Sequence, residues 1–288
     1  MIGGQNCNYS NVDNLVSLYL MHRQKLRADR VVVITGASSG IGAEFALQLA
    51  KSGTRLYLVG RDMPRLEKVA HEAALKGASS ICLTCDMSKS KQVEKLVQTL
   101  SRAEAHVDLL INNAGLSQRG FAAETSIEVD RYLMEVNYFS AIQLTKGLLP
   151  MLFKCKVPRI IVLSSLSGKF GFFQRSAYAA SKHALHGFFE SLQVENYKHG
   201  LRITMACPGR VQTPISMNAM KGDGTSHNQM DAGQQNGIPV DKCVSQILKA
   251  SNKGRFEVII AQNETLLLRL KAFSHQLFFK LAQQVKDK

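Results

Sequence analysis

Val31-Val32-Val33-Ile34-Thr35-Gly36-Ala37-Ser38-Ser39-Gly40-Ile41-Gly42-Ala43-Glu44-Phe45-Ala46-Leu47 passes from a β-branched run, through a glycine-rich turn, into a helical pattern that continues to Ala50. A short apolar run bounded by turn residues reads as a buried strand. Strand, tight turn and helix together present backbone N–H groups and the positive end of a helix to a pyrophosphate. The glycines make the turn, allow close backbone approach and let helix and strand pack. Their spacing is Gly-x-x-x-Gly-x-Gly, not the more familiar Gly-x-Gly-x-x-Gly, so the context carries the reading. Gly36, Ser38, Ser39, Gly40, Ile41 and Gly42 are the candidate phosphate-contacting residues.

The pattern repeats outward from this unit. Strands are expected near 31–35, 55–60, 80–84, 107–111, 158–164, 201–206 and 256–260, with helical stretches between them. Such alternation predicts an α/β fold: one Rossmann-like, doubly wound parallel sheet with helices on both faces. Three segments follow. Residues 1–29 form an N-terminal extension of helical character, 30–262 the nucleotide-binding domain with a flap at about 213–238, and 263–288 a C-terminal amphipathic helix.

The second strand, Arg55-Leu56-Tyr57-Leu58-Val59-Gly60-Arg61, bears on which dinucleotide is used. NAD sites commonly end this strand with an acid that bonds the ribose 2′-hydroxyl. Gly60 and Arg61 stand there instead, and a guanidinium can pair with a 2′-phosphate. NADP(H) is therefore the expected cofactor. Ser39 and Arg65 are further candidates for that phosphate, and Asp62 is the residue that a shifted register would bring to the ribose.

Tyr178-Ala179-Ala180-Ser181-Lys182, with Ser165 thirteen residues upstream, supplies the chemistry. On a helix, residues four apart share one face. A lysine ammonium one turn from a phenol is expected to stabilise the phenolate and draw its pKa down from about 10 toward the working range. Ser165 ends the apolar run Arg159 to Ser164, so its hydroxyl is expected at a strand's mouth, able to bond the same substrate oxygen.

On these motifs the chain resembles the short-chain dehydrogenase/reductase family from about Arg30 to about Ile260. The glycine turn, Asn112-Asn113-Ala114-Gly115, Asn137, the Ser165–Tyr178–Lys182 set and Pro208-Gly209 agree in order and spacing. The resemblance implies a tetrad of Asn137, Ser165, Tyr178 and Lys182. Tyr178 would be the general acid/base, Ser165 would orient the substrate oxygen, Lys182 would hold the nicotinamide ribose, and Asn137 would hold a relay water. It also implies that Asp86 contacts the adenine and that Asn112, Asn113, Ala114 and Gly115 line the cofactor cleft. Pro208, Gly209, Val211 and Thr213 would stand at the nicotinamide end. The implied activity is NADP(H)-dependent interconversion of a ketone or aldehyde with its alcohol, and the implied assembly is a homo-oligomer.

Leu166, Phe170, Phe172, Phe173, Ile215 and Met217 are available to line an apolar substrate pocket, with Ser165, Leu166 and Tyr178 nearest the reacting oxygen. That lining favours a hydrophobic carbonyl compound or secondary alcohol, and the overall plan of the chain resembles the membrane-associated, hydroxysteroid- and retinol-handling branch of the family. Two alternatives are an epimerase holding its cofactor tightly and a dinucleotide-binding sensor or scaffold; the complete tetrad argues against the second.

Composition is that of a globular protein: among 288 residues, 45% are hydrophobic and 20% charged, an ordinary balance. The formal net charge of +14 comes with no basic run interleaved with aromatics, which argues against a nucleic-acid partner. The six cysteines are scattered, and Cys82-x-x-Cys85 falls on an expected strand without a zinc-spaced companion, so no metal is expected. No secretory signal is evident, which points to a cytoplasmic protein. At the C-terminus, Leu266, Leu270, Phe273, Leu277, Leu281 and Val285 form one stripe, with Phe278 alongside and Arg269, Lys271, Lys280, Lys286 and Lys288 around it. That pattern suits a helix packed on protein, or one lying peripherally on an anionic membrane.

Overall fold

In a computed structural model, described for residues 30–261 and 264–283, the strands are β1 (Arg30–Thr35), β2 (Thr54–Gly60), β3 (Ser79–Thr84), β4 (Leu109–Asn112), β5 (Gln118–Arg119), β6 (Arg159–Leu163), β7 (Arg202–Pro208), β8 (Met220–Lys221) and β9 (Glu257–Ile260). Seven of them form a parallel sheet in the order β3-β2-β1-β4-β6-β7-β9. All seven expected strands are present. The short pair β5 and β8, a separate sheet, is an addition that periodicity over two residues could not signal.

Both faces of the sheet are covered, which is why its strands read as continuous apolar runs. In β1, Val31 and Val33 face one layer, while Val32 and Ile34 face the other. The first layer is built from the helices Ser90–Ala103, Ser140–Leu152 and Ser176–Glu195, through residues such as Leu96, Leu148 and Phe189. The second comes from Gly40–Leu49, Met63–Leu75 and Val240–Asn252, through Phe45, Leu66 and Ile247. Strand order reverses between β1 and β4, each of which neighbours the other. Chains leaving their C-terminal ends diverge, and a crevice opens there.

The expected flap is anchored at several points. Met220 of β8 pairs with Gln118 of β5, and Ile238 bridges to Val211. Within the described residues, the helix expected over 263–288 is broken into two, Thr265–Phe273 and His275–Ala282, which meet at an extended Ser274. The Ser274 hydroxyl accepts from the Leu277 N–H and caps the second helix, the usual role of serine at that position. The break resets the helical phase, so the expected stripe divides. Leu267 and Phe278 are buried against Leu166 and Phe170, with Leu270 and Leu281 beside them, while Leu266, Phe273 and Leu277 are exposed. The extension over 1–29, together with Val285, Lys286 and Lys288, lies outside the described residues.

Candidate functional site

The glycine turn is tied to the end of β4 by side chains. Thr35 Oγ1 accepts from the N–H groups of Asn113 and Ala114, both at 3.0 Å, and donates to the Ile111 carbonyl at 3.3 Å. Asn113 Nδ2 donates to the carbonyls of Thr35 and Gly36 at 2.9 and 3.1 Å. Gly36 has φ +64°, and a Cβ added at Gly42 would strike the Gly36 carbonyl. Gly42 is therefore a packing glycine rather than a lining one. Ser39 stands at the start of the Gly40–Leu49 helix without making a side-chain cap, which leaves the helix N-terminus to a ligand.

A cavity at this turn is lined by Ser38, Ser39, Gly40, Ile41, Arg61 and Asp86, and also by Gly36, Ala114 and Gly115. Asn112, expected with them, points into the core, where its Nδ2 donates to Thr145 Oγ1 at 2.9 Å. Asp62 is occupied elsewhere: its carboxylate accepts from the Arg65 N–H at 3.1 Å and pairs with Arg65 Nε at 3.2 Å. That cap fixes the register in doubt, with Gly60 ending β2 and Arg61 following it into the cavity. The residues fit a dinucleotide: the turn is a cradle that any Cβ at Gly42 would distort, and no carboxylate ends β2.

A second cavity shares Ile41, Asn113, Gly115, Thr213 and Ile215 with the first, so the two are continuous. It brings together Ser165, Leu166, Tyr178, Lys182, Pro208 and Gly209, along with Val211. Tyr178 and Lys182 lie on the helix Ser176–Glu195. That helix is positioned by a residue the sequence did not single out: Gln118 Oε1 accepts from the N–H groups of Ala177 and Tyr178 at 2.9 and 3.3 Å. Ser165 follows β6 with its Oγ accepting from the Ser167 N–H at 3.1 Å and donating to the Pro208 carbonyl at 3.4 Å.

Asn137 lies behind the cavity rather than on its wall, 1% exposed, in a π-helical turn over Glu135–Phe139. Its Oδ1 accepts from the Leu116 N–H at 2.8 Å, and its Nδ2 donates to the Leu116 carbonyl and to Ser181 Oγ, both at 2.9 Å. The side chain thus holds the loop after β4 against the tyrosine helix. π-turns of this kind recur at functional sites, and no periodicity in the sequence marks this one.

The electrostatics differ from the simple expectation for a Tyr–Lys pair. Burial raises the Tyr178 pKa, opposed by its hydrogen bond with Ser165 and by the charges of Arg175 and Arg119, and the net shift is upward. Burial also draws the Lys182 ammonium down to about 8. The expected lowering of the phenol by Lys182 is not seen: Nζ donates to the Leu163 carbonyl at 2.6 Å. The cations acting on the tyrosine are two arginines that carry no local sequence signature.

The pocket lining is likewise corrected. Leu166, Phe172 and Ile215 line the cavity, but Phe170 is buried against Phe278 and Phe173 packs on Phe121. Met217 does not reach it. In their place stand Arg119, Arg175, Arg210, Asp231, Gln234 and Glu264. Burial alone would raise the Asp231 pKa, yet its bonds to Arg119 and the charge of Arg175 hold it below the usual carboxylate range.

A family model described as short chain dehydrogenase matches residues 30–224. Dehydrogenase/reductase SDR family member 7B of Bos taurus is 36% identical over 278 residues, covering 93% of this chain and 86% of its own length. The protein of the same name from Danio rerio is 37% identical over 278 residues, covering 93% and 90%. Among solved structures, a short-chain dehydrogenase from Sphingobium yanoikuyae in complex with NADPH superposes with a TM-score of 0.71 at 25% identity, covering 89% of this chain and 96% of its own. A short chain dehydrogenase/reductase from Burkholderia phymatum in complex with NAD gives a TM-score of 0.76 at 24% identity, covering 91% and 98%. The second likeness bears on the fold alone.

Proposed function

The chain belongs to the short-chain dehydrogenase family, and from that premise we propose that it is an NADP(H)-dependent oxidoreductase interconverting a hydrophobic ketone or aldehyde with its alcohol. One observation carries the reading: Tyr178, Ser165 and Lys182 converge on a cavity continuous with the one at the glycine turn. A nicotinamide dinucleotide would be held by the turn from Gly36 to Ile41, by Asp86 and by Asn113 to Gly115, with Arg61 at the 2′-phosphate. When bound, it supplies or accepts the hydride.

The chain's own residues do the remaining work. Tyr178 donates a proton from its hydroxyl to the carbonyl oxygen during reduction and takes it back during oxidation. Ser165 and Tyr178 together stabilise the oxygen as negative charge grows on it. Lys182, one turn from Tyr178, would hold the nicotinamide ribose. Asn137 acts as a positioning residue through Leu116 and Ser181. Leu166, Phe172 and Ile215 exclude water and receive the apolar part of the substrate.

Peripheral membrane contact and homo-oligomer formation belong to the same proposal. Phe273 and Phe279 are exposed beside Lys271 and Lys280, a pattern that suits an anionic lipid surface. No helix among the described residues is long and apolar enough to cross a membrane. The experiment that tests the central reading is NADPH absorbance across a panel of hydrophobic ketones and aldehydes. Stoichiometric oxidation of NADPH with alcohol formation is expected; absence of turnover throughout the panel overturns it.

A further inference from the structure

Two cations in the substrate cavity act on Tyr178 only through their charge and carry neither the proton nor the hydride. Arg119, on β5, and Arg175, immediately before the tyrosine helix, are each 8% exposed and line the cavity that holds Tyr178 and Ser165. A buried guanidinium costs several kcal/mol unless it is paired. Both face one carboxylate. Asp231 Oδ2 accepts from Arg119 Nε at 3.1 Å and from Arg119 Nη2, and it lies 3.5 Å from Arg175 Nη2. His227 Nε2 is 3.4 Å from the other carboxylate oxygen.

The scaffold holds the two guanidiniums independently of that carboxylate. Arg119 Nη1 donates to Ser117 Oγ at 2.9 Å and to the Gln118 carbonyl at 2.6 Å. Arg175 lies over the Phe172 ring, 5.5 Å from its centroid, and donates to the Phe173 carbonyl at 3.4 Å. Asp231, in contrast, comes from the 213–238 segment outside the main sheet, 112 positions from Arg119. Paired guanidiniums fixed in a fork geometry match the oxygens of a carboxylate or phosphate. Apolar side chains of the same cavity, Leu166 and Phe172, stand beside them.

We propose that Arg119 and Arg175 form a subsite for an anionic oxygen-bearing group of the carbonyl substrate, and that Asp231 fills this subsite until the substrate displaces it. The inference rests on the reductase reading and refines its substrate class: an amphiphilic carbonyl compound carrying a carboxylate or phosphate. Exchange of Asp231 for the substrate's anion releases one of the contacts that hold the 213–238 segment, so binding the charged group and moving the flap are one event.

The test compares three ketones of one carbon skeleton, bearing a neutral methyl ester, a carboxylate or a phosphate. An anionic ketone is expected to exceed the neutral one in kcat/KM by at least about tenfold, the scale of one charge-assisted hydrogen bond. The better of the two anions identifies the group. In Arg175→Gln and Arg119→Gln that ratio should fall toward one, and in Asp231→Asn it should rise severalfold. A ratio near one in the wild type, or one unmoved by all three substitutions, overturns the subsite while leaving the reductase reading intact. A second readout needs no turnover: thermal unfolding of the NADP-loaded protein with added inorganic phosphate. Protection should be stronger in Asp231→Asn and lost in Arg175→Gln, and Arg119→Gln gives the same readout if the Arg175 variant does not fold. If no ketone is reduced but this pattern holds, the subsite stands and the reductase reading fails.

Discussion

Lys182 Nζ lies 5.8 Å from the centroid of the Tyr178 ring while donating to the Leu163 carbonyl at 2.6 Å. The lysine is therefore anchored to the end of β6 and presented to the tyrosine from one side. Both groups are buried, and burial moves both toward their neutral forms, the phenol up and the ammonium down to about 8.

These directions set the pH dependence. Reduction needs the phenol protonated, so its kcat should stay level through neutrality and fall only on the alkaline side. Oxidation of the alcohol needs the phenolate and should climb over the same alkaline range. Opposed profiles for the two directions are the expected result; parallel profiles would remove Tyr178 as the titrating group.

Stability carries its own signature. Lys182 has a folded pKa near 8, below its unfolded value of about 10.4. Between those values the unfolded chain binds more protons, so stability should rise with pH across that window, by up to about 3 kcal/mol. Urea unfolding of wild type and Lys182→Met at pH 8 and pH 10 measures the difference, and equal slopes in the two proteins contradict the assignment.

Tyr178→Phe removes only a hydroxyl from a buried ring, so the fold and the nucleotide cavity should survive. Turnover should drop by about 10²–10⁴-fold, the range of general acid–base catalysis, with NADPH affinity nearly unchanged by fluorescence titration. A variant that keeps most of its activity would falsify the role.

Arg61 tests cofactor choice. Arg61→Ala should raise the KM for NADPH by roughly tenfold or more, the worth of a charge-assisted hydrogen bond, and leave NADH little affected. An equal change for both cofactors would place the 2′-phosphate elsewhere, and a wild-type preference for NADH would refute the NADP(H) assignment itself.

Gln118→Leu keeps the side-chain volume but strips the acceptor from the N–H groups of Ala177 and Tyr178. Buried donors left unsatisfied cost about 1–3 kcal/mol. The midpoint of unfolding should fall, and kcat should fall with it because the tyrosine helix loses its anchor.

Membrane contact is tested at two exposed aromatic residues, of which Phe279 touches the edge of the core through the Phe278 ring at 5.4 Å. Phe273 is 90% exposed and Phe279 58%, so the double change Phe273→Ser, Phe279→Ser should leave folding intact. Flotation with vesicles containing phosphatidylserine should weaken severalfold. Equal flotation by both proteins would exclude these helices as the contact.

Wherever the deciding forces act within a few residues, the amino-acid string alone determined the outcome. β-Branched apolar runs such as Val31 to Ile34, bounded by turn residues, favour buried strands, the glycines from Gly36 to Gly42 permit a turn that bulkier residues would block, and four-residue spacing puts Tyr178 and Lys182 on one helix face. Tertiary packing decided what depends on distant segments meeting. It tied Asn137 to Leu116, set Gln118 under the tyrosine helix, broke the C-terminal helix at Ser274 and brought Asp231 to Arg119 and Arg175. Isolated polar residues have no periodicity to reveal them, and burial, which moves the pKa values of Tyr178 and Lys182 most, exists only once the chain has closed around them.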